Sequence, residues 1–175
     1  MTSTADHSLE LVDNFRAAMR QLGATVCVIT AGEGAARRGL TATAVCSLSI
    51  TPPSMVVCVN RQGEAHKAIT DAGAFCVNIL AADQREVAAR FAGQVGDSGA
   101  DKFAPYAWSR LSTGAPSLDG ALVNIDCVLS SVNDTDSHSI FIGTVRDIRF
   151  SDAAEASPLI HYNRDYYALA DQASL

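Results

Sequence analysis

The sequence predicts a mainly β fold, a closed antiparallel barrel with helices at its periphery. Strand-like segments recur from one end of the chain to the other, and the helical segments between them lack the βαβαβ rhythm of a doubly wound sheet. At 175 residues, with 48% hydrophobic and 18% charged, the chain has the length and composition of a single globular domain with a sizeable core. We therefore read residues 1–175 as one domain, with the polar residues 1–8 as a flexible tail.

Leu11, Val12, Phe15, Met19 and Leu22 recur at helical spacing, which predicts an amphipathic helix from Leu9 to Leu22 with Gly23 as its stop. "TVCVIT", Thr25 to Thr30, reads as a strand, and the loop from Gly32 to Arg38 turns it into a second strand beginning at Gly39. That second strand, "GLTATAVCSLSI", places Thr41, Thr43, Val45, Ser47 and Ser49 on one face and Ala42, Ala44, Cys46, Leu48 and Ile50 on the other. No charge occurs between Gly39 and Asn60, so the hydroxyl face is a surface suited to receiving a ligand. Pro52-Pro53 cannot donate to a ladder and must end it, and "SMVVCVN" then gives a buried strand up to Asn60.

Glu64 to Ala72 reads as a helix closed by Gly73, "AFCVNIL" as a strand, and Asp83 to Ala92 as a helix begun by Asp83 and stopped by Gly93. Residues 94–120 are loop-like, but Phe103, Tyr106 and Trp108 predict that the excursion is ordered. Ala121 to Val132 and His138 to Phe150 are long strands joined by the turn residues "NDTDS", and Leu159 to Leu169 makes one more.

Several function classes lose support. The net charge is −6 and the 13 Lys and Arg are scattered, leaving no basic stripe for nucleic acid. The five cysteines contain no C-x-x-C pair and each sits in an apolar run, which predicts buried free thiols in a reducing cytoplasm. No apolar leader and no run of membrane-spanning length appears, so neither export nor a membrane span is expected. "GEGAAR", Gly32 to Arg37, fails as a dinucleotide fingerprint because a strand follows it where a helix must. Nucleophile elbows, Walker loops and H-E-x-x-H are missing, and His7, His66, His138 and His161 are not at metal spacing, so no metal site is expected.

The segments "GLTATAVCSLSITPPSMVVCVN", "FCVNIL", "RFAG", "DKFA", "DCVLSSV", "DSHSIFIG" and "PLIHYNRDYYAL" together resemble the short-chain flavin reductase family, over roughly residues 11–169 and in that family's order. "FRAAMRQLGATV" and "CSLSITPPSMVVCVNR" look closest to its pyrimidine-utilisation branch. The resemblance implies an FMN-binding split barrel, acting as a homodimer that reduces FMN or FAD with NADH or NADPH and passes the reduced flavin to a separate monooxygenase. It places flavin contacts on Leu40, Thr41, Ala42, Thr43, Cys46 and Ser47, with Cys58, Val59 and Asn60 on the next strand. Arg90 and Phe91 of "RFAG" would meet the phosphate end, and Tyr166 would also contact the flavin. His138, Tyr162 and Arg164 would meet the nicotinamide nucleotide, although the family's G-D-H is D-S-H here and the C-terminal arginine is displaced by one place. Hydride transfer between two cofactors needs positioning more than an activated side chain, which agrees with a sequence that carries no nucleophile elbow and no H-E-x-x-H. Two alternatives share the fold: a flavin-retaining oxidase like pyridoxamine phosphate oxidase, and a non-enzymatic flavin- or haem-binding barrel.

Overall fold

The computed structural model describes residues 4–152 and 157–169. Helix α1 (Thr4–Met19) leads into strands β1 (Ala24–Thr25) and β2 (Cys27–Ala31), and a 3-10 turn at Gly34–Ala36 precedes β3 (Arg38–Ala42). Then follow β4 (Val45–Ile50), β5 (Pro53–Asn60), α2 (Glu64–Ala72), β6 (Ala74–Ile79) and α3 (Arg85–Phe91). A second 3-10 turn, Gly99–Phe103, precedes β7 (Trp108–Arg110), β8 (Pro116–Leu118), β9 (Val123–Asp134), β10 (His138–Phe150), β11 (Leu159–Tyr162) and β12 (Asp165–Ala168).

The main sheet has seven strands in the order β3-β2-β6-β9-β10-β5-β4, with every neighbour antiparallel. Its two edge strands, β3 and β4, are consecutive in the chain and joined only by Thr43-Ala44. The sheet therefore curls until its edges meet at Thr43-Ala44, and the backbone N–H of Cys58 in β5 donates to the Ala44 carbonyl at 3.0 Å, carrying the β4–β5 ladder up to the seam. The continuous strand expected from Gly39 to Ile50 is two strands on opposite edges. The break also changes which residues face inward. Ala42 in β3 is buried, whereas in β4 it is Val45 that packs on the core while Leu48 and Ile50 are exposed. With side chains alternating at period two, one slip in phase sends the apolar set outward.

β2 is buried along its whole length because it is shared by two cores. Cys27 and Ile29 join Val57, Val59, Ile69, Phe75, Val77 and Phe141 inside the barrel, while Val26 and Val28 join Leu80, Val87, Phe91, Phe103 and Leu159 outside it. The 94–120 excursion is ordered by this second core: Phe91 and Phe103 meet edge to face at 5.0 Å, and Trp108 lies 4.8 Å from Phe103. Gly39 is required beneath Phe91, where a Cβ would stand 2.7 Å from the ring. On the outer face of β6, beside the second core, Asn78 is fully buried and joins four groups. Its amide donates to the Val28 carbonyl (2.8 Å) and Thr30 Oγ1 (3.0 Å), and its carbonyl accepts from Leu118 N–H and Asn124 Nδ2, each at 2.8 Å.

Other sequence expectations shift in detail. α1 begins at Thr4 rather than Leu9, since nothing between them breaks a helix. α3 is preceded by Gln84 rather than Asp83, because Gln84 closes a turn by accepting the Ala81 N–H at 2.9 Å. The 94–120 segment contains the β7–β8 ladder. Leu159 to Leu169 is not one strand but the β11–β12 hairpin, turning where Asn163 (φ 47°) and Arg164 (φ 69°) both adopt left-handed backbone. Arginine has no liking for that region, so Arg164→Gly should stabilise the fold by about 1 kcal/mol in thermal denaturation.

The cysteines divide. Cys27, Cys76 and Cys127 are buried free thiols as expected, but Cys58 is half-buried and Cys46 is exposed, because it sits on the outward face of β4. Burial pushes the Cys27 and Cys127 thiols from 9.0 up to about 12, and raises Cys76 also, with the nearby Asp126 adding to the shift. Between those values the folded chain keeps protons that the unfolded chain loses. Their contribution is thus full below pH 9 and is lost as pH climbs toward 12. Urea midpoints measured on either side of the lower limit should fall as the medium becomes alkaline.

Candidate functional site

On the β3 side of the seam lies a cleft of about 220 Å³. β3 and the residues after it contribute Thr41, Ala42 and Thr43; the end of α3 contributes Ala92 and Gln94; β11 and β12 contribute His161 and Tyr166; Val26 completes the lining. Thr41 is positioned by its own hydroxyl, which donates to the Ala88 carbonyl of α3 at 2.7 Å and so fixes the helix against the strand. Thr43 is exposed at the point where the ladder stops. His161 and Tyr166 are cross-strand partners with ring centroids 5.6 Å apart. Arg85 lies 5.3 Å from the Tyr166 ring centroid and is held there by Asp165 at 2.6 Å. Burial raises the Tyr166 phenol, and the Arg85 guanidinium partly opposes this.

On the β4 side of the seam, the Ala44–Cys58 bond continues the β4–β5 ladder, and Asn60 at the end of β5 lies opposite His138, the first residue of β10. Both are exposed. The Asn60 carboxamide accepts from Gln62 N–H at 2.9 Å, His138 Nδ1 bonds the Ser137 hydroxyl at 2.9 Å, and Thr135 Oγ1 donates to the His138 carbonyl at 2.7 Å. Cys46 and Ser47 of β4 are exposed beyond the seam.

The structure thus gathers Thr41, Ala42, Thr43 and Tyr166 in one cleft and aligns Cys58, Asn60 and His138 beside the seam. Other expected residues stand elsewhere. Val59 and Phe91 are 1% and 2% exposed, so their side chains belong to the two cores and only their backbone can meet a ligand. Leu40 packs on the inner core. Arg90, expected at a phosphate, is ion-paired with Asp97 and lies 5.9 Å from the Tyr106 ring centroid, because the loop after α3 folds back over it. The Tyr162 hydroxyl donates to Gln21 at 2.9 Å, which turns it toward the chain after α1, and Arg164 occupies the tip of the β11–β12 turn. Sequence reasoning missed Val26, Ala92, Gln94 and His161. Ala92 and His161 lie within the quoted stretches "RFAG" and "PLIHYNRDYYAL"; Val26 and Ala92 give no chemical signal of their own, and His161 stands alone in sequence, its neighbours in the cleft being supplied by the fold.

A larger cavity of about 310 Å³ lies away from the seam, lined in part by Gly32, Glu33, Ala68, Asp71, Thr113 and Gly114. Its carboxylates are already balanced, Glu33 by Arg110 at 3.0 Å and Asp71 by Lys67 at 2.5 Å.

The seam cleft suits a planar polar heterocycle. Alanine and threonine walls let a ring lie close to backbone, Gln94 offers a donor and an acceptor together, and an aromatic pair closes one side. An antiparallel barrel opened at one seam, with such a cleft beside the opening, defines the class of split-barrel flavoproteins. The chain belongs to the family of flavin reductase like domains, whose family model matches residues 19–170. It is 40% identical to the FMN reductase (NADH) RutF of Agrobacterium fabrum, over 89% of this chain and 87% of that protein. It is 36% identical to the 4-hydroxyphenylacetate 3-monooxygenase reductase component of Pseudomonas aeruginosa, over 89% and 90% respectively. Among solved structures, the Streptomyces globisporus NADH:FAD oxidoreductase SgcE6, in complex with NAD and FAD fragments, superposes with a TM-score of 0.82 at 26% identity, covering 99% of each chain.

Proposed function

We propose that this protein is an NADH-dependent flavin reductase that works as a homodimer and supplies reduced flavin to a separate monooxygenase. The carrying observation is the seam cleft, where Thr41–Thr43, Ala92, Gln94, His161 and Tyr166 converge within a flavin reductase like fold. The nicotinamide and flavin rings supply the hydride chemistry between them, so the chain's task is to hold them within reach. In this reading Thr43 and Gln94 bond the polar edge of the flavin and Tyr166 walls the cleft. Cys46, Ser47 and the backbone of Leu40, Cys58 and Val59 form its rim, and Asn60 and His138 meet the nicotinamide. Tyr162 and Arg164 receive the outer part of the nucleotide. Arg90, with the backbone at Phe91, reaches a phosphate only by giving up Asp97, which favours a loosely held flavin that leaves as product.

The dimer is supported by apolar surface that one chain leaves uncovered: Leu11 (64% exposed), Phe15 and Leu22 on and just after α1, Ile50 (88%) on β4 and Phe150 on β10. No helix among the described residues is long and apolar enough to cross a membrane. NADH consumption measured against FMN, FAD and riboflavin tests the activity, and size-exclusion chromatography tests the dimer. Rates that rise with added flavin are expected. Turnover without added flavin would mean a flavin-retaining oxidase, and no turnover would mean a binding protein.

A further inference from the structure

Next to His138 the chain carries a hydrogen-bonded trio that the flavin site does not use. Ser139 is fully buried and lies opposite Val59, so its side chain points away from the face that bears His138 and Asn60. Its hydroxyl donates to Asp134 Oδ1 at 2.6 Å. A hydroxyl has one proton to give, so His66 Nε2, 2.7 Å from the same oxygen, is the donor in that contact and carries a hydrogen. The imidazole of His66, on α2, is set edge-on to Phe141 at 5.0 Å. At the other end of the trio Arg61 lies 3.8 Å from Asp134 and also donates to the Thr135 carbonyl (3.0 Å), while its backbone N–H donates to the Ser137 carbonyl (3.0 Å). The peptide carrying His138 is thus suspended between α2 on one side and the β9–β10 turn on the other.

The geometry points to Ser139 as a positioning residue: the His66–Ser139–Asp134 chain fixes where His138 stands, and thereby sets affinity for the reduced nicotinamide nucleotide without touching it. This rests on the reading that His138 meets the nicotinamide. Removing the hydroxyl in Ser139→Ala leaves the His66 donor without its acceptor, frees Asp134 from the strand it braces and lets the turn drift. His66→Leu should reproduce the effect, and His66→Gln, which keeps a donor at similar reach, should reverse it.

The test measures KM for NADH and for FMN in Ser139→Ala, His66→Leu, His66→Gln and His138→Ala, together with the dissociation constant of NADH from flavin-free protein and the His138 ring resonances. Expected is a rise of roughly five- to tenfold in KM and dissociation constant for NADH in Ser139→Ala and His66→Leu, with kcat and KM for FMN within about twofold and the His138 resonances displaced. A merely structural role would lower Tm and leave the ratio of the two KM values unchanged. Should Ser139→Ala fail to fold, Asp134→Ala, which removes the acceptor at an exposed position, should give the same shift. If His138→Ala raises KM for NADH while the other variants do not, the positioning role is wrong and the site reading stands. If His138→Ala leaves that KM unchanged, both fall.

Discussion

Thr43→Trp should reduce kcat/KM for the flavin by about 100-fold or more while Tm stays within about 2 °C of the parent. Thr43 is exposed, lies in the connection between β3 and β4, and lines a cleft of about 220 Å³ that an indole would largely fill. A surface position of this kind costs little stability when changed. Loss of activity therefore reports a blocked site and not a damaged fold, and parallel circular dichroism would establish that. Undiminished turnover in this variant would place the flavin somewhere other than the seam.

Asn78→Ala should be the most damaging single truncation in the core. Its four partners, the Val28 carbonyl, Thr30 Oγ1, Leu118 N–H and Asn124 Nδ2, come from β2, from β8 and from β9. Asn124 in turn accepts from Arg149 Nε at 2.9 Å, and Arg149 reaches Ser117 Oγ at 2.7 Å, so the network ties the barrel to the 94–120 excursion. Buried polar groups that lose their partners each cost about 1–3 kcal/mol, and a network loses more than one at once. A loss of about 3–5 kcal/mol follows, read as a Tm lowered by roughly 10 °C or more. A drop of under about 1 kcal/mol would show that water replaces the carboxamide and that the network does not bind the layers together.

The regular parts of this architecture were legible from the chain because their signals are local. The hairpin around Gly32–Arg38, the stop at Pro52-Pro53, the Gly73 helix end and the "NDTDS" turn all rest on residues whose backbone chemistry is fixed by type. The seam was hidden for the opposite reason. Thr43-Ala44 contains neither glycine nor proline, and the alternation of letters runs straight through it while the faces exchange, since the break answers to closure of the sheet and not to local preference. The family resemblance pointed to the stretch that lines the cleft but could not reveal that the Thr41 hydroxyl is engaged by Ala88, or that Arg90 is neutralised by Asp97. Asn78 did leave a trace, a lone amide inside the apolar "FCVNIL". A polar residue in a doubly buried strand must find partners, but only the fold names them.

The covalent bridge at Thr43-Ala44 carries one more implication. A hoop whose end strands β3 and β4 are joined by chain and not by a ladder, with the Cys58–Ala44 bond standing beside that link, should breathe at the joint before it opens anywhere else. Deuterium uptake should accordingly be fastest among barrel amides at Cys58 and its neighbours. A molecule seated there would act as a staple, slowing exchange at the joint while leaving the β6–β9 wall unaltered, so occupancy can be followed without any turnover at all.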